Sequence, residues 1–380
     1  MTSASTGQRV STLELFFDLV FVFTITQLTA TLREDPTILR AAQVLVLLAI
    51  IFWMYGGYVW LTNAVAADRT SRRLVLLAGM AAFFIIALTV PGAFDGGGTA
   101  FAIAYVVVIA VHIGLFSRAT SVRSLAGVFR VGRLNAVIAL GVVAGAVLGR
   151  SLDDESGSTW QLVVWSGVAL FAWVVVPRVE PGSFDIGAAH FVERHGLVVI
   201  VAIGESVVAL GLGLRDVAIG PALIGVALLG LGLSACLWWT YFGGDDERAE
   251  HALTIADPSR RSMLAIRAYG YAHLAILLGI VSIAAAVEVV AHHPGDRLGT
   301  GLAVALGGGG ALYLAGLAEF RRSLAIGPTL PRLGAAVACL ATAAIGVSVT
   351  GAAQLAVLVA VFLALIGAER LVVSPATRTA

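Results

Sequence analysis

Lysine is absent, so every one of the 24 basic side chains is an arginine. Charge of either sign is scarce: charged residues make up 12% of the chain against 59% hydrophobic, and mean hydropathy is +0.95. A water-soluble domain of 380 residues needs far more polar surface than this. Most of the chain therefore faces lipid. A net charge of +1 lacks the basic footprint by which proteins hold nucleic acid, so no nucleic-acid partner is expected. Cysteine is nearly absent too. Cys236 and Cys339 each lie inside an apolar run, where free thiols act as small hydrophobes, so neither a disulfide nor a metal framework is expected. The opening residues, Met1 to Thr12, are small and polar with Arg9 as their one basic residue, and no small-residue cleavage site follows. That start reads as a retained first span rather than a signal peptide. The missing lysine fits a GC-rich genome and carries no functional meaning.

Long apolar runs are what the sequence does have. A spanning helix needs roughly 20 predominantly apolar residues. Runs of this kind lie near 14–32, 41–62, 74–92, 99–117, 132–149, 159–177, 196–214, 220–242, 264–290, 300–319, 333–350 and 352–371. The expected fold class is an all-α polytopic membrane protein with about twelve transmembrane helices, the last two divided only at Thr350-Gly351. Arginine placement orients them. With the N-terminus inside, only Arg33, Arg40, Arg150, Arg215 and Arg297 fall on the outer face. The positive-inside rule then puts both termini in the cytoplasm.

The two halves resemble each other. Residues 16–32 align without gaps on 194–210, with Leu19/Leu197, Val20/Val198, Ile25/Ile203 and Leu32/Leu210 identical. The next span of each half carries Trp, Tyr and paired Gly, Trp53-Met54-Tyr55-Gly56-Gly57 against Trp239-Thr240-Tyr241-Phe242-Gly243-Gly244. Each is followed by an Asp and then Ser-Arg-Arg, at Asp68 and Ser71-Arg72-Arg73, and at Asp257 and Ser259-Arg260-Arg261. The shared order points to a duplication. The expected organisation is a cytoplasmic tail at 1–12, a first six-helix half at 13–178, a second at 190–372 and a cytoplasmic tail at 373–380. An even number of spans per half makes these parallel repeats, as in some transporters. Gly141, Gly145 and Gly149, and the run Gly307 to Gly310, suit close helix packing. Four consecutive glycines could instead mark a hinge or a broken span.

The segment Glu14-Leu15-Phe16-Phe17-Asp18-Leu19-Val20-Phe21-Val22-Phe23, continuing Ile25-Thr26-Gln27-Leu28, resembles the signature of the low temperature requirement protein A (LtrA) family. So do Glu193-Arg194 with Gly204-Glu205-Ser206, Tyr271-Ala272-His273-Leu274 with Gly279-Ile280 and Glu288, and Tyr313 followed by Phe320-Arg321-Arg322. The resemblance covers nearly the whole chain. It implies a bacterial multi-pass membrane protein tied to growth at low temperature, and no settled biochemical activity. A second likeness is narrower. Phe16-Phe17-Asp18-Leu19-Val20-Phe21 with Ile25-Thr26 is similar to the first-helix Phe-Ser-Asp motif of a potassium-channel family, in which the first helix of each six-span repeat lines the pore. This sequence departs from it at Phe17, where the motif has Ser, and at Arg194-His195-Gly196, where the second half has no acid.

Ionisable groups inside spans are the candidate functional residues, because a charge near the bilayer centre costs at least ~2.5–3.5 kcal/mol. Glu14 fits a capping box with Ser11 at a helix start. Asp18 lies one turn deeper on the same face. It is either salt-bridged to Arg130, Arg133 or His112, or a proton or cation site at the inner mouth. Glu205 lies roughly 14 Å into its span, near the midplane. There it could carry a proton or fix helix packing. His273 sits at a similar depth in the ninth span, which permits a contact with Glu205. Gln27 is the counterpart of Glu205 in the first half. Glu288 and Glu319 read as interfacial groups, with Arg322 one turn from Glu319. The aromatics at 53, 55, 58, 60, 238, 239 and 241 read as an ordinary interfacial belt.

Enzyme motifs are poor, and neither catalysis nor a cofactor is expected. His190-Phe191-Val192-Glu193-Arg194-His195 resembles a zinc signature with one residue too many, leaving the two histidines about 140° apart on a helix. Asp245-Asp246-Glu247 with Glu250 suggests a metal-diphosphate site only if a second acidic cluster faces it, and otherwise a solvated cytoplasmic loop. The expected function is a proton- or cation-coupled transporter of a small solute, with Glu205, His273, Asp18, Gln27 and His112 along a polar pathway and Glu14 and Glu288 as secondary members. A passive channel, or a membrane protein acting in low-temperature adaptation without transport, are the alternatives. The lipid bilayer and a small solute or ion are the partners this composition allows.

Overall fold

A computed structural model describes residues 10–64, 69–117, 125–152, 154–179, 186–214 and 220–373. Among these the regular structure is helical. The first half holds α1 (Thr12–Glu34), α2 (Ile38–Ala64), α3 (Thr70–Thr89), α4 (Gly98–Phe116), α5 (Leu125–Ser151) and α6 (Asp154–Leu170), which runs through a π-helical turn, Phe171–Val175, into α7 (Val176–Val179). Then come α8 (Ala188–Gly213), α9 (Pro221–Phe242), α10 (Asp245–Ile255) and α11 (Pro258–Ala265), with a second π turn at Ile266–Tyr271 leading into α12 (Ala272–His292). The chain ends in α13 (Thr300–Leu324), α14 (Leu330–Ala341), α15 (Ala343–Ser348) and α16 (Gly351–Val373).

Twelve helical stretches among the described residues are long and apolar enough to cross a bilayer, as the sequence implies. Helices suit this solvent because they satisfy their backbone polar groups internally, where lipid offers no hydrogen bonds. The protein is an all-α polytopic membrane protein. The last two spans are separate: Leu330–Ser348 and Gly351–Leu371 flank a break where Gly351 N–H donates to Asp296 O at 2.9 Å and Thr350 Oγ1 accepts from Ala353 N–H at 3.1 Å.

The chain forms two compact units. The first comprises Met1–Thr31, Ala41–Val198 and Glu250–Gly270, and the second Leu32–Arg40, Val199–Ala249 and Tyr271–Ala380. In the first, α3 packs on α4, α4 on α5 and α5 on α6. The α5–α6 contact uses the glycine ridge: a β-carbon at Gly141 would strike Val168, at Gly145 the Trp165 ring, and at Gly149 the Gln161 side chain. Closeness lets Trp165 Nε1 donate to Val142 O at 2.9 Å. The core of this unit is aromatic, with Phe17 stacked on Tyr58 at 5.2 Å and edge-on to Phe83 at 5.1 Å. Large apolar side chains such as Leu74, Ile103, Leu140 and Leu170 are exposed, which water would penalise and lipid does not.

In the second unit α12 packs along α13, and α13 against α14. The four glycines from Gly307 to Gly310 lie within an unbroken α13, so they serve packing rather than a hinge. A β-carbon at Gly309 would lie 2.8 Å from Gly279 O, and one at Gly307 2.6 Å from Cys339 O. Gly244, at φ +100°, makes the turn between α9 and α10 that a β-carbon would strain, and so places Asp245 at the first position of α10.

Candidate functional site

Helix α1 begins with the capping box expected from the sequence. Glu14 Oε2 accepts from Ser11 N–H and Ser11 Oγ, both at 2.8 Å, while Ser11 Oγ accepts from Glu14 N–H at 3.3 Å. The box leaves the other face of the Glu14 carboxylate to turn inward. One turn later Asp18 enters the same interior, 2% exposed. Two carboxylates at this spacing repel, so a cation is required.

The cation is Arg194 of α8, itself 0% exposed. Its Nη2 lies 2.5 Å from Asp18 Oδ1 and its Nε 3.3 Å from Oδ2, a two-pronged, charge-assisted pairing. Its Nη1 donates to Thr62 Oγ1 at 2.7 Å and to Glu14 Oε1 at 3.3 Å. Tyr55 supplies a hydroxyl donor to Asp18 Oδ1 at 2.9 Å. The guanidinium carbon also sits 5.9 Å from the Phe17 ring centre and 6.0 Å from that of Tyr55. Arg130, the first partner expected for Asp18, lies outside the residues whose side chains are described. Arg133 and His112 are not its partners. Instead His112 Nε2 bonds Gly57 O at 3.1 Å.

His190 completes the cluster, with Nε2 3.2 Å from Glu14 Oε1. Its state follows from Asn63, whose amide is fixed by one backbone unit: Gly187 N–H donates to Asn63 Oδ1 at 2.9 Å, and Asn63 Nδ2 donates to Gly187 O at 3.2 Å. The same Nδ2 lies 3.1 Å from His190 Nδ1, which must therefore accept. An imidazole that accepts at Nδ1 and donates at Nε2 is neutral. Glu193 is exposed and, among the described residues, accepts from Val10 N–H at 3.4 Å. Among the described residues, Glu14 and Asp18 thus face one guanidinium and one neutral histidine, with one negative charge left over, offset in part by the α1 N-terminus.

The second unit holds a contrasting cluster. Asp245, read from sequence as part of a solvated loop, is 2% exposed. The correction follows from the Gly244 turn, which starts a helix where the run of acids suggested a loop. Asp245 Oδ2 meets Arg321 Nε at 2.7 Å and Arg332 Nη2 at 3.0 Å. Glu369 lies 2.6 Å from Arg321 Nη1 and 3.0 Å from Arg332 Nε. Arg248 Nη2 adds a third contact, 2.5 Å from Asp245 Oδ1, so two acids here face three arginines among the described residues. This cluster has no surplus of negative charge.

The other expected residues are distributed as follows. Glu205 is buried in the second unit, 6% exposed. His273 is buried in the same unit, its Nε2 2.8 Å from the Tyr241 hydroxyl. Gln27 is half-buried on α1, and its backbone carbonyl accepts from Thr31 Oγ1 at 2.7 Å. Glu288 pairs with Arg33, and Glu319 with Arg322 at 2.6 Å. His190 and His195 do not share a ligand: His195 Nδ1 turns to Phe191 O at 2.9 Å. The expected aromatic belt is corrected in part. Tyr55, Tyr58 and Tyr241 are buried, because their hydroxyls find partners inside, and only Trp238 and Trp239 are exposed.

Sequence reasoning missed Arg194, Tyr55, Thr62, Asn63 and His190 as one site. Arg194 was assigned to the cytoplasmic segments by its position at a span end. Its immediate neighbours His190 and His195, both buried, were the available signal that this end of the helix faces inward.

Comparison with known proteins is consistent with the motifs. The family model described as Bacterial low temperature requirement A protein (LtrA) matches residues 9–367. The protein named Uncharacterized protein RA0937, of Rhizobium meliloti (strain 1021), is 29% identical over 315 residues, covering 81% of this chain and 76% of that one. No solved structure matches.

Proposed function

The chain belongs to the bacterial low temperature requirement A (LtrA) family, and we propose that it is an inner-membrane carrier coupling a proton or cation to the movement of a small solute. The observation that carries this reading is the charge imbalance of the buried cluster, where Glu14 and Asp18 share the one guanidinium found there among the described residues, that of Arg194. In a low dielectric an uncompensated charge is costly, so the cluster gains by taking up one proton or one monovalent cation. The ligands for such a charge are the carboxylate oxygens of Glu14 and Asp18, with the Tyr55 hydroxyl and Thr62 as neutral neighbours. The cluster of Asp245 and Glu369 with Arg248, Arg321 and Arg332 carries no surplus of negative charge among the described residues and needs only a structural role.

In this reading Glu205, with His273, is a second proton-carrying position, supported by the burial of both side chains. The two six-helix halves inferred from sequence supply the alternating parts, and arginine placement puts both termini in the cytoplasm. The passive-channel reading rests on the first-helix likeness. Against it, Phe17 packs on Tyr58 and Phe83 where the channel motif has Ser, and Asp18 is held by Arg194.

Proteoliposomes loaded with a pH-sensitive dye test the proposal. Proton movement driven by an added amino acid, sugar or organic amine, lost in Asp18→Asn, supports it. Current that follows the applied potential and ignores Asp18→Asn favours a channel. Flux no greater than that of empty vesicles, for protons, sodium and potassium and for every solute class, overturns both.

A further inference from the structure

A cavity of about 160 Å³ lies within the first unit. Its walls are aromatic, led by Phe52, Trp53, Trp60, Trp173, Phe191 and Tyr269. Trp53 is edge-on to Trp173 at 5.5 Å, Trp60 edge-on to Phe191 at 5.7 Å, and Phe191 edge-on to Tyr269 at 5.3 Å. No acid or arginine is among the described lining residues. Both π-helical turns found in the described residues border it: Phe171–Val175 supplies Trp173, and Ile266–Tyr271 supplies Ile266, Tyr269 and Gly270. Such turns recur at functional sites, because the extra residue re-aims side chains out of helical register.

Two imidazoles also reach the cavity, His112 and His195. Each is anchored by a backbone carbonyl, His112 Nε2 on Gly57 O at 3.1 Å and His195 Nδ1 on Phe191 O at 2.9 Å. A carbonyl oxygen only accepts, so Nε2 of His112 carries the proton and its Nδ1 presents a lone pair. His112 is 4% exposed, and its Nδ1 has no hydrogen-bond partner among the described residues. Buried acceptors are rarely left so. Two of the indole donors at the cavity are already engaged: Trp53 Nε1 is on Asn135 Oδ1 at 3.3 Å and Trp173 Nε1 on Ala49 O at 2.9 Å.

The cavity therefore offers π faces and an acceptor at His112 Nδ1, and no arginine among its described lining residues. Aromatic faces attract cations through the ring quadrupole. An apolar cavity of about 150 Å³ admits one benzene. We propose that this cavity binds a small organic ammonium of about one ring's size, its N–H on His112 Nδ1 and its charge against the indole and phenyl faces. The site is distinct from the carboxylate cluster, and binding at equilibrium does not depend on the transport reading.

The test titrates the purified full chain by tryptophan fluorescence with four one-ring probes: benzylammonium, benzyltrimethylammonium, benzyl alcohol and benzoate. Benzylammonium should saturate and bind at least about tenfold tighter than benzyl alcohol, with benzoate not binding. His112→Phe should weaken benzylammonium about tenfold and leave benzyltrimethylammonium, which has no N–H, unchanged. Gly56 lines the cavity and a β-carbon there meets nothing within 4 Å. Gly56→Leu should accordingly fill the space, abolish binding and keep the melting temperature, so the test stands even if His112→Phe fails to fold. Benzoate or benzyl alcohol matching benzylammonium, no saturable binding by any probe, or undiminished binding in Gly56→Leu would each overturn the proposal.

Discussion

Arg194 holds Asp18 by two nitrogens, Nη2 to Oδ1 at 2.5 Å and Nε to Oδ2 at 3.3 Å, with both side chains buried. The pairing ties the first turns of α1 to the start of α8, and the third nitrogen of the same guanidinium adds Thr62 of α2. One planar fork thus joins three helices of the first unit.

Removing one partner of a buried pair leaves the other uncompensated, at a cost of about 3–5 kcal/mol. Arg194→Gln should accordingly lower stability by that order in thermal unfolding of the detergent-purified protein. The double variant Arg194→Gln with Asp18→Asn should be more stable than Arg194→Gln alone, because the stranded charge is gone. Arg194→Lys should recover only part of the loss, since an ammonium cannot span both carboxylate oxygens.

The arginine-rich cluster behaves differently. Asp245→Asn removes the acid that faces Arg248, Arg321 and Arg332, leaving Glu369 as its one remaining acid among the described residues. It should destabilise the protein in the same assay, yet leave proton movement per folded molecule unchanged.

Close helix approach in the second unit is testable at Gly279, where a β-carbon would lie 2.6 Å from Gly309 O and 2.7 Å from Tyr313 N. Backbone atoms cannot step aside, so Gly279→Ala should cost about 1–3 kcal/mol. Gly225→Ala, with nothing within 4 Å, should be neutral or stabilising by about 0.5–1 kcal/mol, as expected for a helix interior.

Sidedness can be read by labelling with a membrane-impermeant maleimide. Cys236 and Cys339 are both buried, so the background is low. In intact cells Arg297→Cys should label, and Arg72→Cys should label only after permeabilisation. The reverse pattern would invert the orientation drawn from arginine placement.

The fold was legible because lipid imposes one rule on every span: twenty or so apolar residues in a helix. The runs at 333–350 and 352–371 were correctly separated although only Thr350-Gly351 divides them. The site was legible only where chemistry is local. The Ser11–Glu14 capping box is a contact across three residues, and it formed as read. Asp18 was recognised as needing a cation, but its partner is 176 residues away in sequence, and no periodicity reports such a pairing. Asp245 was misread for the converse reason. Its acidic neighbours Asp246 and Glu247 suggested water, while the tertiary contacts with Arg321 and Arg332 bury it.

The most direct measurement compares three proteins in dye-loaded liposomes: the unaltered chain, Asp18→Asn and Asp245→Asn, each normalised to folded protein. If the unbalanced Glu14–Asp18–Arg194 cluster is the charge site, the unaltered chain and Asp245→Asn move protons and Asp18→Asn does not. Equal rates in Asp18→Asn and the unaltered chain, or no movement above empty vesicles in any of the three, would contradict it.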